Sequence, residues 1–476
     1  MPLRKTYLPI TLALCSMLVL AACYKDKGNY TYHKPDEPLI ALDSVYNVLI
    51  GDSLVIKPRV QYTGTDTFSY EWKISLPDNT TREFKGPELH MLYGLGAARY
   101  AGLLTAINHN NGMHYFYPFV VSGETVFSEG VAVLTAENGK AQVSFIKANG
   151  EVLSRIYQVI NPNDTLPDDP IQIIKAVEVI MEPDITRCYW VLGKSGKYKG
   201  VQIDVNTFAR KGHFEDNFFD VPDTVAPQNF CSTIQGVLAG VSNGRMYAGT
   251  TSTWDQAPNF GMFGLDAAGD YTMHPSFIYN TDKQGSQQYF IGFDTKHSQF
   301  VRMNMYGGLV YFGPAYAVTG GAFNPINLGM DLITMMQIDG GNCFAFCKDA
   351  SGAVQELKFS VEFNGPFNFN PIYQHTFAHP ELITGNTKWI GAPGEIIYFT
   401  SNDKIYRYNP LNQDLRTLTA DMGGKAVTMI KLMEDGTLAA GTENTLYYLN
   451  ISGGNTGTVL RKVEGLPGNV IDIVNR

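Results

Sequence analysis

The sequence predicts an all-β protein, an immunoglobulin-like sandwich followed by a β-propeller. Three observations carry this reading. Short runs rich in Val, Ile, Tyr, Phe and Thr follow one another from Pro38 onward, separated by turn signals such as ENG, ANG, SNG and EDG. No amphipathic helical period of useful length interrupts them. The last run, NVIDIVNR, is a lone strand with no hairpin partner of its own.

The first element is a leader. Arg4 and Lys5 precede a mostly apolar stretch from Leu8 to Leu20, thirteen residues that contain Pro9 and Ser16. That is too short for a membrane span and suits the apolar region of a signal peptide. It ends in Leu20-Ala21-Ala22-Cys23, which resembles the lipobox of bacterial lipoproteins. The resemblance implies cleavage after residue 22, acylation of Cys23 and anchorage to outer-membrane lipid, since Tyr24 rather than Asp follows the cysteine. Several acyl chains give stable anchoring where one is marginal. An ordinary signal peptide with an incidental Cys, or an uncleaved anchor, is the alternative. Residues 23–37 are polar and aperiodic and read as a tether.

Loss of the leader removes Arg4 and Lys5 from 36 basic residues, leaving 34 against 45 acids and a net charge near −11. This argues against a nucleic-acid partner and against a polybasic membrane patch.

Residues 38–127 read as the sandwich. LVIKPRVQY, FSYEWKI, RYAGLLTAI and HYFYPFVV are its strands, and Trp72 sits mid-strand as a core Trp would. Residues 128–476 read as the propeller. Units begin near residues 128, 173, 236, 288, 331, 387 and 426, which makes seven blades. The terminal NVIDIVNR would then pair with the first unit and close the ring, removing open edges. Two stacked sandwiches are the competing architecture.

The residues after the lipobox, Tyr24-Lys25-Asp26-Lys27-Gly28-Asn29-Tyr30, and a later segment, Gly130 to Ile146, resemble the PKD-like family lipoproteins of anaerobic Gram-negative bacteria. That resemblance covers the tether, the sandwich, which becomes PKD-like, and the start of the repeats. It implies a surface or outer-membrane accessory lipoprotein of a starch-utilisation-type uptake locus, beside a TonB-dependent transporter, and names no ligand; a glycan or peptide is what the binding reading expects. It carries no catalytic motif.

The chain contains no HExxH, no P-loop and no GxGxxG after a strand. No catalytic residue, cofactor or metal is therefore assigned. Cys343 and Cys347, four apart, fit one face of a core strand better than a disulfide. His375 and His379 are also four apart, too few ligands for a metal by themselves. Loop aromatics are the more informative signal. Three stretches are expected to share one propeller face: Ser252–Phe260, Pro314–Met330 and Phe377–Thr387. Trp254 with Asp255 and Asn259, Tyr316 and Phe323, and His379 are the ligand-binding candidates there. Trp254 as a structural cap is the plainer alternative. A non-enzymatic binding protein and a propeller-type hydrolase or lyase with acids at the central channel both fit the fold.

Overall fold

The structure, a computed structural model, describes residues 37–179, 185–251, 259–281, 288–305, 308–362, 367–453 and 456–476. The leader, Cys23 and all of the tether before Glu37 lie outside them. Two compact units meet between Gly123 and Glu124, a few residues before the boundary expected at Phe127. Nearly all regular structure is strand; the α-helix among the described residues is Ile156–Ile160. No described helix is long and apolar enough to cross a membrane.

The first unit holds a five-stranded sheet in the order Val45–Leu49, His114–Glu124, Arg99–Asn108, Phe68–Ser75, Thr81–Lys85. Two small sheets accompany it: Leu39–Ala41 with Arg59–Gln61, and Ser53–Ile56 with Leu89–Leu92. The alternation in FSYEWKIS sends Trp72 and Ile74 inward, where both are fully buried. Ile56 and Leu89 of the small sheets join the same core. The Trp72 indole lies edge-on to Phe119 at 5.7 Å and its Nε1 donates to the Gly86 carbonyl at 2.9 Å. Burial thus leaves no indole N–H unpaired.

Among the described residues the strands of the second unit fall into seven groups, of which the first, second and seventh are joined in one ten-stranded sheet. The second runs Asp168–Glu178, Ile185–Ser195, Gly200–Ile203, Arg210–His213, and the third Pro227–Ser232, Leu238–Ser242, Arg245–Ala248. The fourth is Ile278–Thr281, Gln288–Asp294, Gln299–Asn304, Val310–Gly313. The fifth, Asp331–Asp339, Asn342–Lys348, Val354–Glu362, Asn368–Thr376, also takes Ala317–Val318 in parallel on its last strand. The sixth is Trp389–Ala392, Ile396–Ser401, Lys404–Asn409, Asp414–Thr417. In the seventh, Leu438–Asn450 serves twice: its first half pairs with Met429–Leu432 and its second with the start of Thr458–Asn475.

The long final strand then leaves its own group. Its second half pairs antiparallel with Gly130–Glu137, from Val131 opposite Asn475 to Ala136 opposite Asn469. The terminal strand therefore joins the first group, which also contains Lys140–Lys147 and Val152–Leu153. Gly468 makes the crossing feasible: at φ +79, any Cβ would sit 2.2 Å from the Ala136 carbonyl oxygen.

Consecutive groups share apolar cores. Phe145 and Tyr157 pack with Tyr189 and Phe208 between the first and second groups. Ile291 and Phe300 pack with Cys343, Cys347 and Phe359 between the fourth and fifth. The two cysteines are fully buried on one strand face, small hydrophobes in a core. Val133 and Ile146 of the first group pack with Leu446 and Val463 of the seventh, so the last group meets the first.

Side chains tie neighbouring first strands where no backbone ladder joins them. Gln172 accepts from the Phe230 amide and donates to its carbonyl, both at 2.8 Å. The Ser276 hydroxyl does the same for Met335, at 2.9 and 3.1 Å. Asp472 accepts from the Ile173 amide at 3.1 Å and from Lys431 Nζ at 2.8 Å, linking three groups through one carboxylate.

Two first strands escape the sequence reading. Units were expected to begin near residues 236 and 288, but the third and fourth groups start at Pro227–Ser232 and Ile278–Thr281. PQNFCS and IYNT are short and carry Pro, Asn and Ser in place of an apolar alternation. Of the three stretches expected on one face, 314–330 and 377–387 both follow fourth strands, and most of Ser252–Phe260 lies outside the described residues.

Candidate functional site

The loops after first and third strands frame a cleft of about 750 Å³ between the sixth and seventh groups. Its floor is apolar, with Ile396, Leu418, Leu432 and Ile451. One wall is the hairpin of Lys404–Asn409 and Asp414–Thr417. The turn is built by its own asparagines. Asn409 Oδ1 accepts from the Leu411 amide at 3.0 Å, and Asn412 Oδ1 accepts from the Asp414 amide at 3.1 Å. Gln413 takes the left-handed conformation at φ 58. Each Asn oxygen thus accepts one bond within the turn, and the Nδ2 donors of both side chains remain for other partners.

The register of this hairpin sets Arg407 directly opposite Arg416, and Tyr398 opposite Arg407 on the other side. Like charges facing each other across strands repel. One carboxylate serves both: Arg416 Nε lies 2.7 Å from Asp414 Oδ2, and Arg407 Nη1 lies 3.9 Å from the same oxygen. At 3.9 Å the Arg407 contact is no hydrogen bond. Burial raises the pKa of the Tyr398 hydroxyl, opposed by the Arg407 charge and hydrogen bond. Across the cleft the turn 433–437 carries Glu434, exposed and in no ion pair with either arginine. Asp435 holds that turn through Thr437, whose hydroxyl and amide keep its carboxyl below the usual range.

Other titratable groups cluster inside the sheets. Glu356 is fully buried between the fifth and sixth groups and accepts from the hydroxyls of Tyr373 and Tyr408, each at 2.6 Å. His375 stacks on Tyr373 at 4.7 Å with its Nε2 3.2 Å from Glu356. Burial, and then the Glu356 charge and hydrogen bond, push the Tyr373 hydroxyl far up; burial and the same carboxylate act on Tyr408. Among the described residues no three His, Cys, Asp or Glu converge closely enough to hold a metal ion.

The expected site residues fall in different places. Trp254 and Asp255 lie outside the described residues. Asn259 is half-buried and its carbonyl accepts from the Met262 amide at 3.3 Å. Beside it Phe260 underlies the Arg187 guanidinium, 4.5 Å from the ring centroid, and Arg187 in turn pairs with the buried Glu178. Tyr316 and Phe323 are corrected as loop aromatics. Phe323 is buried at 8 % exposure in the core of the fourth and fifth groups. Tyr316 packs against that core, stacked on Phe369 at 5.6 Å, and donates to the Phe300 carbonyl at 2.8 Å. Their stretch is held down by Ala317–Val318, which adds to the fifth sheet. His379 stands half-exposed, 3.6 Å from Glu381 and edge-on to Phe377. Arg407 and Arg416 were not singled out from sequence. The available signal was the hairpin YRYNPLNQDLRT, whose turn residues fix which side chains face each other.

No curated protein matches the chain. Among solved structures, one described as the extracellular domain of a one-component system from B. thetaiotaomicron aligns with 8% identity and a TM-score of 0.40, covering 90% of this chain and 69% of that one. A family described as PKD-like matches residues 23–170, which run from Cys23 through the first unit and into the second group. That segment of the chain is similar to the PKD-like family.

Proposed function

We propose that this protein is a lipid-anchored outer-membrane lipoprotein, exposed at the cell surface, that binds a glycan or peptide ligand without turning it over. In this reading it serves a nutrient uptake system as an accessory component beside a TonB-dependent transporter. The cleft between the sixth and seventh groups carries the binding part. It has an apolar floor and convergent side-chain donors on its wall, the usual make-up of a ligand site. Trp254 and Asp255, which lie outside the described residues, are with Asn259 the proposed further contacts. His379 is assigned no contact, and Tyr316 and Phe323 are core.

We read the seven groups of the second unit as blades of a closed β-propeller. Support comes from the terminal strand paired with the first group and from the core that the first and seventh groups share. The anchor rests on the lipobox-like Leu20-Ala21-Ala22-Cys23. A propeller-type hydrolase or lyase is the second reading, favoured only by the buried Glu356 cluster, whose carboxylate is closed off from solvent.

Two experiments test the proposal. Cys23→Ser removes the acylated thiol and should release the protein from membranes. A mutant that still pellets with the outer membrane after a salt wash contradicts the anchor. The released chain, applied to glycan and peptide arrays, should bind at least one class, and a blank array contradicts ligand binding.

A further inference from the structure

From the arginine pair of the cleft we infer that its ligand is an acidic saccharide, a sugar bearing a carboxylate. The inference rests on the reading of this cleft as a ligand site and adds the chemical class. Three observations point the same way. Arg407 and Arg416 face each other across two strands with a single carboxylate oxygen of Asp414 between them. That oxygen satisfies Arg416 at 2.7 Å but stands 3.9 Å from Arg407, whose guanidinium also bonds the Tyr398 hydroxyl and, with five N–H donors, keeps some to spare. A ligand carboxylate inserted there gains charge-assisted, bidentate bonds and relieves the cross-strand repulsion.

The rest of the wall selects for hydroxyls. Asn409 and Asn412, which line the cleft, each accept one turn bond and keep amide donors and a second lone pair, which suit the hydroxyls of a polyol. Glu434 on the facing turn is an acceptor without an ion-pair partner in this cleft. A sugar hydroxyl can donate to it, whereas a second anionic group on the ligand would be repelled. The cleft volume of about 750 Å³ falls within the usual range for small-molecule sites. One carboxylate at the arginines, hydroxyls elsewhere and a sugar face on the apolar floor is the arrangement these walls accept.

The test is isothermal titration of the purified Cys23→Ser chain with three probes: trigalacturonic acid, its methyl ester and trialanine. The acid should bind at least about ten-fold more tightly than the ester, which keeps the hydroxyls and loses the charge. The preference should shrink as salt is raised and disappear in Arg407→Gln. Asn412→Ala, on an exposed turn, should weaken the acid and the ester alike. The comparison of acid with ester needs no variant, so it stands even if Arg407→Gln fails to fold. Equal affinity for acid and ester overturns the inference, as does acid binding unchanged by Arg407→Gln. Tighter binding of trialanine than of trigalacturonate overturns it in favour of a peptide carboxylate. Failure of every acidic saccharide on the glycan array also overturns it. If neutral glycans bind while acidic ones show no advantage, ligand binding survives and the carboxylate does not; a blank array removes both.

Discussion

Deleting Val470–Arg476 should sharply destabilise the second unit. The segment supplies the strand that pairs with Gly130–Glu137. Val470 and Ile473 are fully buried and Val474 is 7% exposed. Burying one such side chain stabilises by about 1.5–3 kcal/mol, so three together contribute roughly 5–9 kcal/mol, an upper figure because unfolded chains already hide some surface. The deletion also removes the Asp472 carboxylate, leaving the Ile173 amide and Lys431 without that partner, and it exposes the edge of the first group. Typical domains are stable by only about 5–15 kcal/mol. A frayed tail of the same length would cost almost nothing. Thermal and urea unfolding, followed by circular dichroism, should therefore show a melting temperature lower by at least about 5 °C, taking a few degrees per kcal/mol for larger domains. An unchanged melting temperature would refute the closing-strand argument and the propeller reading with it.

Gly468→Ala should destabilise the same closure without deleting any contact, because its Cβ meets the Ala136 carbonyl at 2.2 Å and its φ is +79; a cost of more than about 1 kcal/mol in urea unfolding is expected. Tyr408→Phe removes one of two hydroxyls that donate to buried Glu356 and should cost about 1–3 kcal/mol. Alkaline pH tests the same cluster: burial and the Glu356 carboxylate raise the folded pKa values of Tyr373 and Tyr408 above the ordinary tyrosine value, so the unfolded state loses its protons first. Stability should be intact below pH ~10 and fall above it, and Tyr408→Phe should flatten the fall. Trp254→Ala should weaken binding several-fold with the fold unchanged if the indole stacks on ligand for about 1 kcal/mol; loss of fold on circular dichroism would make Trp254 a structural cap.

How much of this was legible in the sequence depended on whether a strand carried its own signal. NVIDIVNR announced itself, since an alternating apolar strand with no hairpin partner needs a pairing elsewhere, and Gly130–Glu137 supplies it. Trp72 was legible because a lone Trp in an alternating run is buried whichever sheet covers it. PQNFCS was not: Pro227 and Asn229 hide a strand that earns its place by the Gln172 bonds to Phe230, a contact between residues 58 apart in the chain. Tyr316 and Phe323 misled because their stretch has no period, yet a two-residue strand and the neighbouring core hold it down. The arginine pair was hidden in the register of its hairpin, where both asparagine side chains fold back on the turn. Residue types were readable there, and cross-strand opposition was not.

The central claim is that the protein holds its ligand and leaves it intact. Any array hit, incubated to equilibrium with the Cys23→Ser chain at stoichiometric concentration and then recovered, can be compared with the starting material by proton NMR. Saturable binding with the ligand recovered unchanged is the predicted result. Saturable binding followed by cleavage or elimination, abolished by substituting an acid of the chain, would contradict it and establish the hydrolase or lyase.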